Sequence, residues 1–231
     1  MLCKLSNLLA WCLCLATSYA GSDDAWTRAL AQRDVATIER LVGQGADVNR
    51  PAQDGRTALM LAASERHGPL VHALLERGIN VNTTNNRGGT ALMFAATAGD
   101  VDVVELLLAH GAAVNARASN GWTAIALAAT GGHDMVVRVL LARRADPNLA
   151  DLYGWTPLMR AVEQNRSQAV RALLTSKQLN INASDENGHT ALHHAAAQGL
   201  SEIARMLVER GANTQARDRA GRTPVAIAAA Q

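Results

Sequence analysis

With 231 residues, 18% of them charged, and a formal net charge of +2, the chain lacks the basic excess from which nucleic-acid binding could be read. Aromatic residues make up 3% of it against 48% hydrophobic residues, which suits thin layers of small side chains better than one bulky core. Its three cysteines, Cys3, Cys12 and Cys14, all lie near the start.

Met1 to Ala20 carries Lys4, then an apolar run from Leu8 to Ala16, then Ser18-Tyr19-Ala20 ahead of Gly21. One positive charge, a short apolar core and small residues before a cut read as a secretory signal peptide over residues 1–20. The apolar run is too short to span a bilayer as a stable helix. The mature chain is therefore expected to begin at Gly21, to be periplasmic or secreted, and to have no membrane association after cleavage. It would contain no cysteine, hence no disulfide and no thiolate for catalysis or metal binding.

Residues 21–50 read as an N-terminal capping repeat of two short helices. Asp23 and Asp24 favour a helix start, Trp26 packs in the cap, and Val35, Ile38, Leu41 and Val42 fall at helical spacing before Gly43 and Gly45 end the second helix. Beyond it, Thr57, Thr90, Thr123, Thr156, Thr190 and Thr223 stand 33, 33, 33, 34 and 33 residues apart, each opening a stretch such as Thr57-Ala58-Leu59-Met60-Leu61-Ala62-Ala63. A glycine stands two residues before each threonine (Gly55, Gly88, Gly121, Gly154, Gly188, Gly221), and Asn49, Asn82, Asn115, Asn148 and Asn182 keep the same period. A fixed period of this length means a solenoid. The units are 51–83, 84–116, 117–149, 150–183 and 184–216, with a C-terminal half-repeat at 217–231. In each, a turn at the glycine leads to a threonine that starts a first helix; a second helix follows with a leucine pair such as Leu74-Leu75 or Leu140-Leu141 and closes on Gly78, Gly111 or Gly211. Helices of roughly 8–10 residues are marginal alone and persist only when neighbouring units cover their apolar faces. The half-repeat supplies one helix where two would complete the unit, so Ile203, Met206 and Leu207 are expected to be thinly covered.

The segment Asn187-Gly188-His189-Thr190-Ala191-Leu192-His193-His194-Ala195-Ala196, with Val104-Glu105-Leu106-Leu107-Leu108 and Gly111-Ala112-Ala113-Val114-Asn115 in their places, resembles the ankyrin repeat. The resemblance runs from Asp24 to Gln231. It implies an all-α solenoid of stacked units, each a short β-hairpin followed by helix, loop and helix, in a curved array. The sequence departs from the family pattern in keeping the usual histidine only at His193, with Met60, Met93, Ala126, Met159 and Ala226 elsewhere, and in the extra residue of the fourth unit, where Lys177-Gln178-Leu179-Asn180 replaces Gly-Ala.

Catalytic chemistry finds no support. The glycines follow the turns rather than preceding Lys-Ser/Thr, there is no nucleophile elbow, and no cofactor is expected. His189, His193 and His194 form the one histidine cluster, but no third ligand shows clear spacing, so it reads as a structural histidine beside an exposed one, with no metal.

The aromatic residues say more. Phe94 has a place inside a first helix, whereas Trp122, Tyr153 and Trp155 fall on two consecutive tips. Trp122 and Trp155 occupy the slot between turn glycine and threonine that elsewhere holds Arg56, Gly89, His189 and Arg222, so the scaffold does not require an aromatic there. The resemblance implies that this slot and the residues before the glycine contact a partner. Trp122, Leu152, Tyr153 and Trp155 are therefore the expected centre of a partner-binding surface. A second stripe, Arg77, His110 and Arg143, with Arg210 further on, follows the ends of the second helices, where the helix dipole favours cations; with Arg56, Arg87 and Arg222 it could attract an acidic partner. The expected function is a monomeric, non-catalytic scaffold that binds or protects an unidentified partner protein in the periplasm through its tips and concave face. The alternatives are an immunity protein against a toxin and an exported effector that binds host proteins.

Overall fold

A computed structural model of the chain describes residues 25–230. The expected signal peptide at 1–20, and Asp23 and Asp24 with it, lie outside the described residues. Helix α1 covers residues 25–32. It is followed by α2 (Val35–Gly43), α3 (Ala58–Ser64), α4 (Gly68–Glu76), α5 (Ala91–Ala98), α6 (Val101–Ala109), α7 (Ala124–Gly131), α8 (Asp134–Ala142), α9 (Pro157–Glu163), α10 (Ser167–Leu173), α11 (Ala191–Ala197), α12 (Ser201–Glu209) and α13 (Pro224–Ala228). The even-numbered helices from α2 to α12 stack as one layer and the odd-numbered ones from α3 to α13 as the other. The Ala-rich odd layer packs more closely at most steps, α8 against α10 excepted, as expected of the inner, concave side of a curved array.

The recurrent threonines act as expected. The hydroxyl oxygens of Thr57, Thr90, Thr123, Thr156 and Thr223 accept hydrogen bonds from the amide three residues on, at 3.3, 3.4, 3.4, 3.3 and 3.2 Å, satisfying donors that a helix start leaves open. At Thr190 the amide instead donates to His193 Nδ1 at 3.1 Å. That leaves His193 Nε2 to carry the proton, and it donates to the carbonyl of Arg222 at 3.2 Å, tying α11 to the next unit. His193 is thus the buried structural histidine that the sequence suggested.

The recurrent asparagines form a ladder. Asn115 Oδ1 accepts from the Asp146 amide at 2.9 Å while its Nδ2 donates to the Arg144 carbonyl at 3.4 Å. Asn82, Asn148 and Asn182 repeat the arrangement toward Ala113, Asn180 and Asn213. The extra residue of the fourth unit is absorbed after α10, and the Asn180 amide still meets Asn148 at 2.7 Å.

The tips differ from the expected β-hairpins: among the described residues the one β-bridge is isolated, between Ser184 and Thr190. Each tip is a tight turn closed by two backbone bonds, such as Ala118 N–H to Trp122 O and Gly121 N–H to Ala118 O, both 2.8 Å. Such a turn is too short for a ladder. Its outward amides pair instead with the neighbouring tip, as Ser119 N–H does with Arg87 O at 2.9 Å and Leu152 N–H with Asn120 O at 3.2 Å. Gly121 sits in this junction at φ +83°, where an added Cβ would lie 2.9 Å from Asp151 Cα.

At the N-terminal end Trp26 is buried and its Nε1–H donates to Arg50 O at 2.9 Å, as a cap requires. At the other end Ile203, Met206 and Leu207 are buried, contrary to the expectation of thin cover: α12 packs against α10 and α11, and the helix opened by Pro224 covers α11. The apolar groups left exposed there are Val208 and Val225.

One stability prediction arises from the backbone. Arg144 holds φ +65° at the helix-ending position where other units place Gly78, Gly111 and Gly211. A left-handed residue with a Cβ is strained by about 1 kcal/mol, and the Arg144 side chain has no ion pair among the described residues. Arg144→Gly is expected to raise the melting temperature by roughly 2–4 °C in a thermal scan; an unchanged or lower value would show that the side chain contributes more than the strain removes.

Candidate functional site

Three side-chain columns repeat along the inner side, one residue per unit. The tip base contributes Ala52, Asn85, Ala118, Asp151, Asp185 and Asp218; the slot beside the turn glycine contributes Arg56, Gly89, Trp122, Trp155, His189 and Arg222; the first helix contributes Leu61, Phe94, Leu127, Arg160, His194 and Ile227. The columns change character midway: mostly apolar and neutral at first, then acidic, cationic and imidazole-bearing from Asp151 on.

In the first half, Gly89 leaves its slot empty beside the indole of Trp122. The result is a cavity of about 480 Å³ whose walls include Met93, Phe94, Thr97, Trp122 and Leu127, with Arg87 on its border. A smaller hollow of about 310 Å³ between Arg56, Met60, Leu61 and Phe94 adjoins it through the Phe94 ring.

At the midpoint the Arg160 guanidinium lies between the two slot tryptophans, 4.7 Å from the Trp122 ring centroid and 4.6 Å from that of Trp155. A cation over an indole face is attracted by the ring quadrupole, by about 1 kcal/mol or more where partly desolvated. Arg160 is aimed by buried Asp151, whose Oδ2 accepts from its Nε at 3.1 Å and forms an ion pair with Nη2. Asp151 Oδ1 meanwhile accepts the amides of Tyr153 and Trp155 at 2.9 and 3.1 Å. One carboxylate therefore sets both the tip and the cation. Trp122 and Trp155 are half-buried in this stack rather than projecting freely. Leu152 and Tyr153, at 61% and 65% exposure, are the expected projecting pair.

Arg77, His110 and Arg143 are exposed, as expected, and cap the C-terminal ends of α4, α6 and α8 in the outer layer. His110 Nδ1 lies 2.9 Å from the Leu106 carbonyl, a local helix-end contact. No contact joins these three to the Trp122–Arg160–Trp155 stack among the described residues, so the structure does not merge the stripe and the aromatics into one site.

In the second half the stack continues from Trp155 to the ring of His194, 4.3 Å away between centroids. His194 Nε2 lies 3.3 Å from Asp185 Oδ2, and His189 Nδ1 lies 3.5 Å from the same oxygen. His189 Nε2 is 3.4 Å from Asp218 Oδ2, and His194 Nδ1 is 3.9 Å from Glu163 Oε2. Burial holds the His194 imidazole below the ordinary histidine range, against the pull of Asp185. Burial pushes Asp218 up, but the backbone and side-chain hydrogen bonds of Arg222 outweigh it and hold the carboxyl below the usual range. Sequence spacing showed no third ligand beside His189 and His193; the fold sets His193 aside as structural and brings Asp185 to His189 and His194.

Arg160, Asp151, Asp185 and His194 were not singled out as binding residues from the sequence. Aligning the units would have exposed them, because Arg160 and His194 interrupt the apolar column Leu61, Phe94, Leu127 just where aspartate enters the tip base.

The chain matches family models for ankyrin repeats over residues 27–118, 114–185 and 173–228, and it belongs to the ankyrin repeat family. It is similar to a solved ankyrin repeat domain, that of Bcl-3, described as a unique member of the IkappaB protein family, with a TM-score of 0.75 and 28% identity over 88% of this chain and 92% of that one. An ankyrin repeat-containing protein of Schizosaccharomyces pombe is 46% identical over 49 residues, 21% of this chain and 24% of that protein, so the match spans about a quarter of its relative. Ankyrin arrays are generally non-catalytic modules that bind protein partners, and membership of the family implies a protein–protein interaction scaffold. Among the described residues no helix is long and apolar enough to cross a membrane.

Proposed function

We propose that this chain is a monomeric scaffold of the periplasm or the secreted space that holds a partner protein against the midpoint of its concave side. The observation that carries this reading is the apolar cavity beside Trp122, whose wall residue Asn120 accepts the amide of Leu152, the first of the exposed pair Leu152 and Tyr153. A cavity of about 480 Å³ accommodates a large apolar side chain, while Arg87 on its border favours acidic residues around it. The Arg160 stack fixes one wall, so little ordering remains to be done on binding.

Pull-down from a periplasmic extract with the chain from Gly21 onward, followed by mass spectrometry, identifies the partner, and titration of variants then locates the site. Tyr153→Ala is expected to weaken binding by about 2 kcal/mol, a thirtyfold loss, with stability nearly unchanged, since an exposed ring contributes little to folding. Trp122→Ala should weaken binding as strongly and also lower the melting temperature, because it removes half of the clamp on Arg160. Normal affinity in both variants would place the partner elsewhere, with the outer stripe of Arg77, His110 and Arg143 the next surface to test.

A further inference from the structure

Two buried polar atoms in the described residues lack a hydrogen bond, Asp185 Oδ2 and His194 Nε2, and they face each other. The Asp185 side chain is 1% exposed and that of His194 is 11%. A carboxylate oxygen and an imidazole nitrogen left unpaired in such a place cost stability unless something binds between them. His189 turns a third donor to the same point, and one ligand atom from each of the three lies within 4.8 Å of both others.

The distances have a definite meaning. A zinc ion bound tetrahedrally at about 2.0–2.1 Å holds its ligand atoms about 3.3–3.4 Å apart. Asp185 Oδ2 stands 3.3 Å from His194 Nε2 and 3.5 Å from His189 Nδ1. The remaining ring nitrogens face carboxylates, as metal-bound histidines require: His189 Nε2 faces Asp218 Oδ2 at 3.4 Å and His194 Nδ1 faces Glu163 Oε2 at 3.9 Å. These carboxylates are themselves held, Asp218 by Arg222 Nε at 2.8 Å and Glu163 by Gln198 Nε2 at 2.8 Å. Asp185 is held through its other oxygen, which accepts the amides of Asn187 and His189 at 2.8 and 2.9 Å. Every donor is thus oriented from behind, and two of the three atoms that converge, Asp185 Oδ2 and His194 Nε2, are the unpaired ones.

We infer that Asp185 Oδ2, His189 Nδ1 and His194 Nε2 bind a divalent metal ion of the zinc class. Two imidazoles and one carboxylate suit zinc over magnesium or calcium, which prefer oxygen alone. Three protein ligands leave a fourth position for water or for a side chain of a bound protein. The donors all come from the unit 184–216, with Glu163 from the unit before and Asp218 from the unit after, so the ion would fasten three consecutive units. The inference stands independently of the partner surface at Trp122.

The test uses tag-free chain from Gly21 onward, stripped with EDTA and exchanged into chelator-free buffer, titrated calorimetrically with zinc chloride at neutral pH. One ion per chain is expected, with micromolar or tighter affinity and a higher melting temperature. Cobalt(II) in its place should give the intense visible absorption of four-coordinate cobalt with histidine ligands. Asp185→Asn and His194→Ala should each lower zinc affinity thirtyfold or more, and the more exposed His189→Ala provides a second ligand deletion if either buried variant fails to fold. His110→Ala, at the end of α6, should leave binding unchanged. Absence of zinc-induced stabilisation in the parent chain, or zinc binding that survives His189→Ala with its affinity intact, would overturn the site.

Discussion

Asp151→Ala is expected to remove about 3 kcal/mol of stability and, with it, the order of the binding surface. The carboxylate has a buried side chain, accepts two tip amides, and neutralises Arg160 between two indoles. Breaking a buried pair by deleting one partner typically costs about 3–5 kcal/mol, and the lower end applies because the Arg160 side chain is 22% exposed and retains some water. The melting temperature should fall by roughly 6–12 °C. Asp151→Asn keeps an oxygen for the Tyr153 and Trp155 amides but turns an NH2 donor toward Arg160 where Oδ2 accepted, so the tip is spared and a smaller drop, about 2 kcal/mol, is expected. A melting temperature within a degree of the parent for Asp151→Ala would show that the stack organises itself without its anion.

Gly121→Ala should be comparably damaging, for a reason that Gly221→Ala can isolate. Both glycines have positive φ, +83° and +77°, and a Cβ at either costs about 1–2 kcal/mol of backbone strain. At Gly221 the added carbon meets nothing within 4 Å, whereas at Gly121 it presses on Asp151 Cα at 2.9 Å. That carbon is backbone and cannot swing away, so the junction with the next tip must open and the Leu152 to Asn120 bond must stretch. A total loss of about 3 kcal/mol is expected for Gly121→Ala against about 1–2 kcal/mol for Gly221→Ala, measured by chemical denaturation. Equal losses would mean that the glycine serves the turn alone and the tips do not restrain one another.

The array was legible because its determinants are local and repeated. A threonine that caps its own helix, a glycine at a left-handed turn and an asparagine that reaches one unit onward each leave a mark at fixed spacing. The tips misled slightly: the family resemblance implied a hairpin, but two bonds close the turn and the remaining amides look sideways to a neighbour, a pairing that no single unit displays. The site was legible only in part for the same reason. Leu152 and Tyr153 could be read as exposed because they precede a turn glycine. Arg160, however, acquires its role from Trp122 in the preceding unit and Asp151 in its own, and His194 from Asp185 across a tip, so the relevant neighbours are separated by 9 to 38 residues. Reading down the columns rather than along the chain is what would bring those residues together.

The asparagine ladder also bears on the order in which the chain folds. Its rungs join positions 31 or 32 residues apart, and the ties of His133 to Thr97 and of Arg166 to Thr130 span 36. These cross-unit ties reach only to the adjacent unit, so the loops closed during folding are short and nearly equal in length, and the search for contacts does not lengthen as units are added. Nucleation is favoured in the interior, where a unit gains a neighbour on each side, and structure then spreads outward in both directions. A chain that emerges gradually through a narrow exit can therefore consolidate its early units while the rest is still threading, with each newly freed asparagine side chain waiting to receive the next amide.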